Sequence, residues 1–316
     1  MGIVVLGAVF VDVKGFPFSK YIADGRNAGR VEYIHGGVSR NVVEDIANME
    51  LRPTFISIVD DSALGQEVIN KLKRHKVNTQ YMRAIPDGMG TWLAVFDHHG
   101  DLAGSISQRP NLMPILDILE EHGDEIAENA DSFVVEIDMD KEIIKKVTEL
   151  AEAHQKKLYG VVSNMNIAVE RRDLLKKFHC LICNQLEAGI FFMENYEGMN
   201  QEELLPIIRK NVINAHVPSM IVTMGEEGAI YATMDGESGF CPARKVQVKD
   251  TTGAGDAFCA GVSSGLTYGK TLQEACEIGS KLAASVITSL ENVCPRFMPQ
   301  EVGIDYQENV DNVDKM

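Results

Sequence analysis

The part of the chain that best combines residue types for chemistry is 250–258, which reads Asp-Thr-Thr-Gly-Ala-Gly-Asp-Ala-Phe. Gly253 and Gly255 carry no side chains, so the backbone amides of this turn can approach an anion closely. A helix pattern follows over 257–266, and the positive end of a helix beginning here would strengthen the attraction. A carboxylate beside an anion is unfavourable unless it takes part in the reaction. Asp256 is suited to accept a proton from a nucleophile while the turn stabilises a transferring phosphoryl group.

Two other interpretations of this run explain less of it. Asp256 could serve as a helix N-cap, but capping accounts for one aspartate and not for nine consecutive residues. The dinucleotide fingerprint Gly-x-Gly-x-x-Gly fails because Phe258 occupies the place of the third glycine. A strand-like pattern over 245–248 precedes the glycines, so the sequence predicts a strand–turn–helix unit there.

The run 250–258 resembles the C-terminal signature of the ribokinase-like (PfkB-type) carbohydrate and nucleoside kinases. Three further motifs occur in the order typical of that family: Gly-Gly-Val-Ser-Arg-Asn at 36–41 is similar to its GGxxxN signature, Asn-Gln-Leu-Glu at 184–187 to its NxxE motif, and 223–228 to its TxGxxG turn. Because the motifs extend over nearly the whole chain, it is identified as a member of the family. The resemblance implies a kinase with a three-layer α/β/α fold and a small β-sheet lid.

The resemblance also implies a role for each matching residue. The general base would be Asp256, and the anion hole would consist of Gly253, Ala254 and Gly255. Substrate hydroxyls would be bound by Asp12, Gly36, Gly37 and Asn41, with Asp138 at a strand end as a further contact. In the cofactor site, Asn184 and Glu187 would position magnesium, and ATP would be bordered by Thr223, Gly225 and Gly228. Glu187 would hold Mg²⁺ through water, and Asp250 and Thr252 match a site for K⁺, although 289–293 departs from the family's pattern for that cation.

The elements that position these residues follow from the spacing of apolar side chains. Helix-period segments lie near 42–47, 64–72 and 143–150. They alternate with short apolar runs typical of strands, at 3–10, 54–59, 132–137, 158–162, 180–183, 219–223 and 229–232. Such alternation predicts an α/β fold with a mainly parallel sheet covered by helices on both faces.

Two stretches, 11–34 and 89–109, instead show a period of two. The second contains a predicted hairpin, with strands at 91–96 and 102–107 and a turn at 97–101. We expect 12–34 and 89–109 to form a small β lid over the substrate site, and 1–11, 35–88 and 110–316 to form the α/β kinase domain. His98 and His99 lie in the predicted turn and are interpreted as turn residues rather than metal ligands.

The charge balance excludes several classes of partner. The 316 residues include 30 Lys and Arg against 46 Asp and Glu, which gives a net charge of −16. A nucleic-acid backbone or an anionic membrane would repel such a chain, and the densest basic run, 71–76, reads as the solvated end of an amphipathic helix. No apolar run approaches the 18 residues of a membrane-spanning helix. The sequence therefore favours a small-molecule substrate.

Cysteine usage indicates a reduced compartment. Six cysteines are too few for a disulfide framework, and Cys180 and Cys183 lie inside an apolar run, which predicts buried strand cysteines rather than a redox or zinc pair. The apolar opening at 2–6 is typical of a buried first strand rather than a signal peptide. We predict a cytoplasmic protein.

Within the family, residues 11–15, 29–47 and 91–97 are similar to the pseudouridine kinases. This resemblance implies ATP-dependent phosphorylation of the ribosyl 5′-hydroxyl of pseudouridine. A kinase for ribose, fructose or 2-keto-3-deoxygluconate is an alternative, as is a non-catalytic sugar or nucleotide sensor on the same fold, against which the retained Asp256 argues. Apolar lid residues such as Val11 and Trp92 would exclude water from the transfer, and exposed apolar lid surface would favour a homodimer through the lid.

Overall fold

The computed structural model describes residues 2–306, which form two β-sheets and their covering helices. The strands are, in chain order, β1 (Gly2–Leu6), β2 (Phe10–Pro17), β3 (Gly29–Gly36), β4 (Thr54–Asp60), β5 (Met82–Ile85), β6 (Gly90–Phe96), β7 (Leu102–Gln108), β8 (Ala130–Glu136), β9 (Lys157–Val161), β10 (Cys180–Asn184), β11 (Ser219–Thr223), β12 (Gly228–Thr233) and β13 (Ser238–Pro242). The helices are α1 (Val38–Asn48), α2 (Ala63–Arg74), α3 (Pro114–Asn129), α4 (Lys141–Ala153), α5 (Met165–Ala168), α6 (Arg172–Leu175), α7 (Gln185–Phe192), α8 (Gln201–Ala215), α9 (Ala254–Thr267) and α10 (Leu272–Ile287).

The large sheet has nine strands in the order β13-β12-β11-β10-β9-β8-β1-β4-β5. All neighbours from β11 to β5 are parallel, whereas β12 and β13 add an antiparallel edge. The prediction of a mainly parallel sheet is therefore confirmed. Parallel strands bring their carboxyl ends to one edge of the sheet, and ligands of such folds bind at that edge.

Helices cover both faces of this sheet, because alternate residues of each strand point to opposite sides. In β1, Val4 and Leu6 pack into a core shared with α3, α4 and α8, whereas Ile3 and Val5 pack into a second core shared with α1, α2, α9 and α10. β1 is therefore apolar on both faces, as expected for a strand buried in the middle layer. The result is the predicted three-layer α/β/α arrangement.

Side-chain caps begin several of these helices. Ser62 accepts a hydrogen bond from the amide of Gly65 at the start of α2. Asn200 with Glu203, and Thr271 with Glu274, form reciprocal capping boxes at the starts of α8 and α10. Each cap satisfies amides that have no partner inside the helix, and so fixes where the helix begins.

The small sheet has four strands in the order β3-β2-β6-β7. β2 and β3 are antiparallel, β2 and β6 are parallel, and β6 and β7 form the antiparallel hairpin that the sequence predicts. His98 and His99 lie in its exposed turn, as expected. The chain enters this sheet directly after β1, so residues near its base lie beside the carboxyl edge of the large sheet.

Two strand predictions are wrong. The run 3–10 is not one strand: β1 ends at Leu6, and the amide of Ala8 donates to a carboxylate oxygen of Glu136 (3.0 Å) instead of to a neighbouring strand. Residues 245–248 form no strand, because Val246 and Val248 are exposed and no strand lies beside them. The two edge strands β5 and β13 were not predicted at all.

Other properties of the described residues agree with the sequence. Cys180 and Cys183 are buried, free cysteines in β10, as predicted. Within residues 2–306, no helix combines the length and apolar character needed to cross a membrane.

Candidate functional site

The candidate residues meet at the carboxyl edge of the large sheet. Asn184 ends β10 and Thr223 ends β11, and the two are direct register partners. Glu136 ends β8, two strands away from β10. The loop before α9 and the start of α1 reach the same region, because Asn41 of α1 contacts Asp256 of α9.

The two glycines before Asp256 have different surroundings. Gly253 adopts a left-handed conformation (φ 81°) as the N-cap of α9, and a Cβ there would lie 2.0 Å from the carbonyl oxygen of Asn292. A Cβ on Gly255 would have no atom within 4 Å. Gly253 thus packs the turn against the protein, whereas Gly255 leaves open space in front of the first amides of α9. Those amides have no partner inside a helix and attract anions.

Asp256 lies in the first turn of α9, beside this open space. Its Oδ2 accepts a hydrogen bond from Nδ2 of Asn41 at 2.6 Å. Burial raises the pKa of Asp256 from 3.8 to about 7, although Asn41 and the positive charge of Arg40 act in the opposite direction. The charges of Asp12 and Glu187 raise the pKa further. A carboxyl with a pKa near 7 is partly deprotonated at neutral pH, and it is then basic enough to act as a general base.

Gly36 and Gly37 connect the small sheet to α1. A Cβ on Gly36 would lie 2.7 Å from the Asp12 carboxylate, and Gly37 has φ 100° with Ala8 and Phe10 close behind it. Only glycine therefore lets β3 pass this close to Asp12 and turn into α1. Asp12 is half-buried at this crossing, and burial raises the pKa of its carboxyl. Asp12 and Asn41 come from neighbouring elements and both lie near Asp256.

A buried ion pair supports the start of α1. Nη1 of Arg40 lies 2.6 Å from Oε2 of Glu44, one turn further along, and both side chains are about 1% exposed. Arg40 also donates to the backbone carbonyl of His35 in β3. Lys71 of α2 contacts the other oxygen of Glu44 at 2.9 Å. These contacts fix α1 to β3 and α2, and they place one positive charge near Asp256 and Asp12.

Asp138 follows β8 and is fully buried as a side chain. Its Oδ1 accepts from the amide of Ser163 (3.1 Å), and its Oδ2 pairs with Nη2 of Arg109 at 2.6 Å. Arg109 follows β7, so this ion pair joins the small sheet to the large one. Glu136 lies nearby, where burial and the charge of Asp138 raise its pKa to about 7. Asp138 therefore already has two protein partners.

The NxxE motif begins α7 as a capping box. Oδ1 of Asn184 accepts from the amide of Glu187 at 2.8 Å, and Oε2 of Glu187 accepts from the amide of Asn184 at 2.7 Å. Burial raises the pKa of Glu187, and the amide of Asn184 opposes that shift. Within residues 2–306, no set of three or more His, Cys, Asp and Glu side chains is arranged to hold a metal ion. This donor set fits Mg²⁺ bound mainly by water and phosphate oxygens.

The TxGxxG turn lies between β11 and β12. The Thr223 hydroxyl donates to the carbonyl of Cys183 (3.4 Å), and the amide of Met224 donates to the carbonyl of Gly228 (2.8 Å). Gly225 has φ 58°, and a Cβ there would have no atom within 4 Å, so its surface is open. Gly228 has φ 126°, and a Cβ there would lie 2.1 Å from the carbonyl oxygen of Cys241. The turn is thus closely packed on one side and accessible on the other.

The loop 250–252 precedes the anion-binding turn. Oδ1 of Asp250 accepts from the amide of Thr252 at 2.8 Å, and this hydrogen bond holds the pKa of Asp250 below its usual value. The amide of Lys249, directly before this loop, donates to the carbonyl of Ile287 (2.7 Å). The Ser289 hydroxyl donates to the carbonyl of Glu291 (3.3 Å). Part of the backbone that could face a cation is therefore already hydrogen-bonded.

The structure brings Asp12, Asn41, Glu187 and Asp256 into one electrostatic neighbourhood. Four residues that touch this neighbourhood were not singled out from the sequence: Arg40, Arg109, Glu136 and Asn292. Arg40 stands inside the GGxxxN motif, but nothing local marks it as buried. The other three act through contacts that span tens to hundreds of residues, and such contacts leave no local pattern.

Comparison with known proteins shows the family to which the chain belongs. The profile of the pfkB family carbohydrate kinases matches residues 2–293. The chain is 33% identical to a guanosine-inosine kinase from Exiguobacterium acetylicum over 292 residues, covering 92% of this chain and 95% of the relative. It is 25% identical to the pseudouridine kinase of Escherichia coli strain K12, covering 83% of this chain and 82% of the relative.

A solved structure supports the fold. Arabidopsis thaliana ribokinase, described in complex with ribose and ATP, superposes with a TM-score of 0.82 at 18% identity, covering 97% of this chain and 99% of that one. Since the family profile and the relatives extend over nearly the whole chain, this protein belongs to the pfkB family of carbohydrate and nucleoside kinases.

Proposed function

We propose that this kinase transfers the γ-phosphoryl group of ATP to the 5′-hydroxyl of a ribonucleoside, with guanosine and inosine as its preferred substrates. The observation that carries the chemistry is the contact between Asn41 and Asp256 (2.6 Å) beside the open face of Gly255. This contact brings together the segment proposed to bind hydroxyls (Asn41), the proposed base (Asp256) and the proposed anion site (Gly255). The substrate class rests on the guanosine-inosine kinase relative, which covers 92% of this chain.

Each residue has a defined task in this reaction. Asp256 accepts the proton of the 5′-hydroxyl as its oxygen forms a bond to the γ-phosphorus and the bond from that phosphorus to ADP breaks. The amides of Ala254 and Gly255 stabilise the charge that develops on the phosphoryl oxygens. Asp12 and the Asn41 side chain hold ribose hydroxyls, and Gly36 lets the backbone of β3 pass close to the Asp12 carboxylate.

ATP fits along the ends of β10 and β11. The exposed side of the turn at Gly225 offers backbone to the nucleotide, while Gly228 packs the turn against β13. Glu187 would hold Mg²⁺ through water while remaining the cap of α7, and the ion would supply positive charge to the phosphates. Asp250 and Thr252 are proposed to hold K⁺. Replacing K⁺ by choline at constant ionic strength should then lower turnover, and unchanged turnover would remove this cation from the proposal.

The small sheet is proposed to act as a lid. Asp12 and Trp92 are register partners on the face of the sheet that carries the substrate residue, so Trp92 lies beside the bound ribose and excludes water. The ion pair between Arg109 and Asp138 fixes the base of β7 to the sheet edge. ATP hydrolysis without nucleoside should be slow, because the lid closes only when the acceptor is present.

The opposite face of the lid is proposed to pair with a second copy of the chain. Tyr33, Val13, Leu93 and Ile106 form one row across the four strands, on the side opposite Asp12. Tyr33 is 64% exposed and Ile106 is 69% exposed. Leu93 is also exposed, whereas Val13 is half-buried against the second core. Exposed apolar side chains on one face of a sheet are typical of an interface. We also assign the protein to the cytoplasm, since the cysteines in the described residues are free.

One substrate panel tests the proposal. ADP release with magnesium-ATP is measured for guanosine, inosine, pseudouridine, uridine, ribose and fructose. We expect guanosine and inosine to give the highest kcat/KM, and bare ribose to be at least roughly a hundredfold poorer, because buried polar groups that read a base each cost about 1–3 kcal/mol when left unpaired. The similarity of 29–47 and 91–97 to pseudouridine kinases makes pseudouridine the second candidate. A higher kcat/KM for ribose or fructose would exclude a nucleoside kinase.

A further inference from the structure

The segment after α10 contacts α1 along one helix face. The Asn292 side chain meets Asn41 (3.3 Å between Nδ2 and Oδ1), and the amide of Cys294 donates to Oδ1 of Asp45 at 2.6 Å. Nδ2 of Asn48 donates to the carbonyl of Cys294 at 2.7 Å. Asn41, Asp45 and Asn48 are four and three residues apart and therefore share one face of the helix. Residues 292–294 are thus anchored at several points beside the active site.

Asn292 contacts two further parts of the site besides α1: the end of β3 and the glycine turn before α9. Its Nδ2 donates to the carbonyl of His35 at 3.1 Å as well as to Oδ1 of Asn41. Its own backbone carbonyl is the surface against which Gly253 packs. One residue therefore touches both the segment that contacts the base and the turn that forms the anion site.

The orientation of the Asn41 side chain depends on this contact. An asparagine amide has one donor end and one acceptor end of nearly equal size, and its neighbours decide which way it points. Oδ1 of Asn41 faces the donor of Asn292, which leaves Nδ2 facing Asp256. With the amide reversed, an oxygen would face the carboxylate and the charged hydrogen bond to Asp256 would be lost.

We propose that Asn292 is a positioning residue that orients the Asn41 side chain so that it donates to the base Asp256. This inference rests on the proposed role of Asp256 as the base. Asn292 makes no contact with the reacting atoms itself; it acts through Asn41.

Several titratable or charged groups face Asp256, and they remain in place when Asn292 is changed. They are Arg40 and Asp45 of α1, Asp12 of β2, Glu187 of α7 and Cys259 of α9 itself. Because the Asn41 hydrogen bond lowers the pKa of Asp256, its loss must raise that pKa. The base is active when deprotonated, so the acid limb of the pH profile must move to higher pH.

The test is the pH dependence of kcat/KM for N292L, which keeps the size of the side chain but removes its donor. We expect the acid limb to move up by about one pH unit, so that kcat/KM falls roughly tenfold at pH 6.5 and stays within about twofold at pH 9. In N41L the limb should also move, and N41L/N292L should show no further movement, because the two residues act as one unit. N292A replaces N292L if the leucine variant does not fold.

N48S is the matched control, because it removes another anchor of the same segment without touching Asn41. It should lower the melting temperature and leave the acid limb in place. A fall in kcat/KM that is uniform across pH in N292L, or a limb shift in N48S of the same size, would overturn the proposal.

A readout without substrate separates this inference from the proposed function. NMR titration of the Asp256 carboxyl with ¹³C-labelled aspartate, assigned with D256N, should give a higher pKa in N292L than in the wild type. An unchanged pKa refutes the role of Asn292, even if the kinase is active on nucleosides. A raised pKa supports it, even if the preferred substrate differs from the one proposed.

Discussion

The substitution D256N separates the chemical role of Asp256 from its effect on stability. Asparagine keeps the shape and can still accept the hydrogen bond from Asn41 through its oxygen, but it cannot take up a proton. A positioned general base contributes roughly 10²–10⁴-fold to the rate. We therefore expect kcat to fall by at least about a hundredfold, while ATP binding measured by calorimetry is retained.

D256N should stabilise the folded state at high pH, although it lowers kcat. Burial raises the pKa of Asp256 from 3.8 to about 7, so the folded state is progressively penalised for ionising this group as pH rises through that interval. Three pH units correspond to about 4 kcal/mol as an upper limit, with full effect above pH 7 and none below the unfolded pKa. D256N removes the charge, and should melt several degrees higher than the wild type at pH 8 but not at pH 4.

A matched control comes from the same loop. The pKa of Asp250 is held below its usual value by the amide of Thr252, so its charge stabilises the folded state above the unfolded pKa. D250N should thus melt lower than the wild type at pH 8, where D256N melts higher. Turnover of D256N within about threefold of the wild type would refute the base, and a lower melting temperature at pH 8 would refute the argument from burial.

Four further substitutions test the glycine turn, Glu187 and the outer face of the small sheet. G255A should lower kcat on the order of tenfold or more without lowering the melting temperature, because its methyl group fills only open space. G253A should lower the melting temperature, because its Cβ would meet Asn292. Equal effects of the two substitutions would contradict the assignment of Gly255 to the anion site. E187Q should raise the KM for Mg²⁺ roughly tenfold in assays of initial rate, because the glutamine amide oxygen can still cap α7 but carries no charge. A loss of stability with an unchanged dependence of the rate on Mg²⁺ would leave Glu187 with a capping role alone. In sedimentation at micromolar concentration we expect a dimer for the wild type and a monomer for I106E, because a charge would replace the exposed apolar side chain at the β7 end of the row; a monomeric wild type would exclude the lid dimer.

The contiguous features of this protein could be predicted from the sequence. The parallel sheet, its helices and the hairpin of β6 and β7 follow from periodicity, because each period is set by local geometry. The glycine turn with Asp256 is visible because all its parts lie within nine residues. The errors fall where tertiary contacts decide the outcome: β1 stops at Leu6 because the distant Glu136 takes the amide of Ala8.

The supporting residues of the site had no such local signal. Asn292 meets Asn41 across 251 residues, and Arg109 meets Asp138 only because β7 ends beside β8. Residues 245–248 alternate like a strand, yet no neighbouring strand is available to pair with them. Sequence patterns therefore point to the residues that are proposed to carry the chemistry, whereas the contacts that orient them depend on the completed fold.

The pairing of Asn41 with Asp256 has a consequence for how the protein is made. The two residues are 215 positions apart, and Asp256 lies on α9, which follows all thirteen strands of residues 2–306 in the chain and packs with α10 against α1. The ends of β10 and β11, which are proposed to face the nucleotide, are therefore synthesised before Asp256. On the proposed role of Asp256, a chain that stops before α9 lacks the group that accepts the proton of the hydroxyl. We therefore expect phosphoryl transfer to begin only after α9 and α10 have packed against α1.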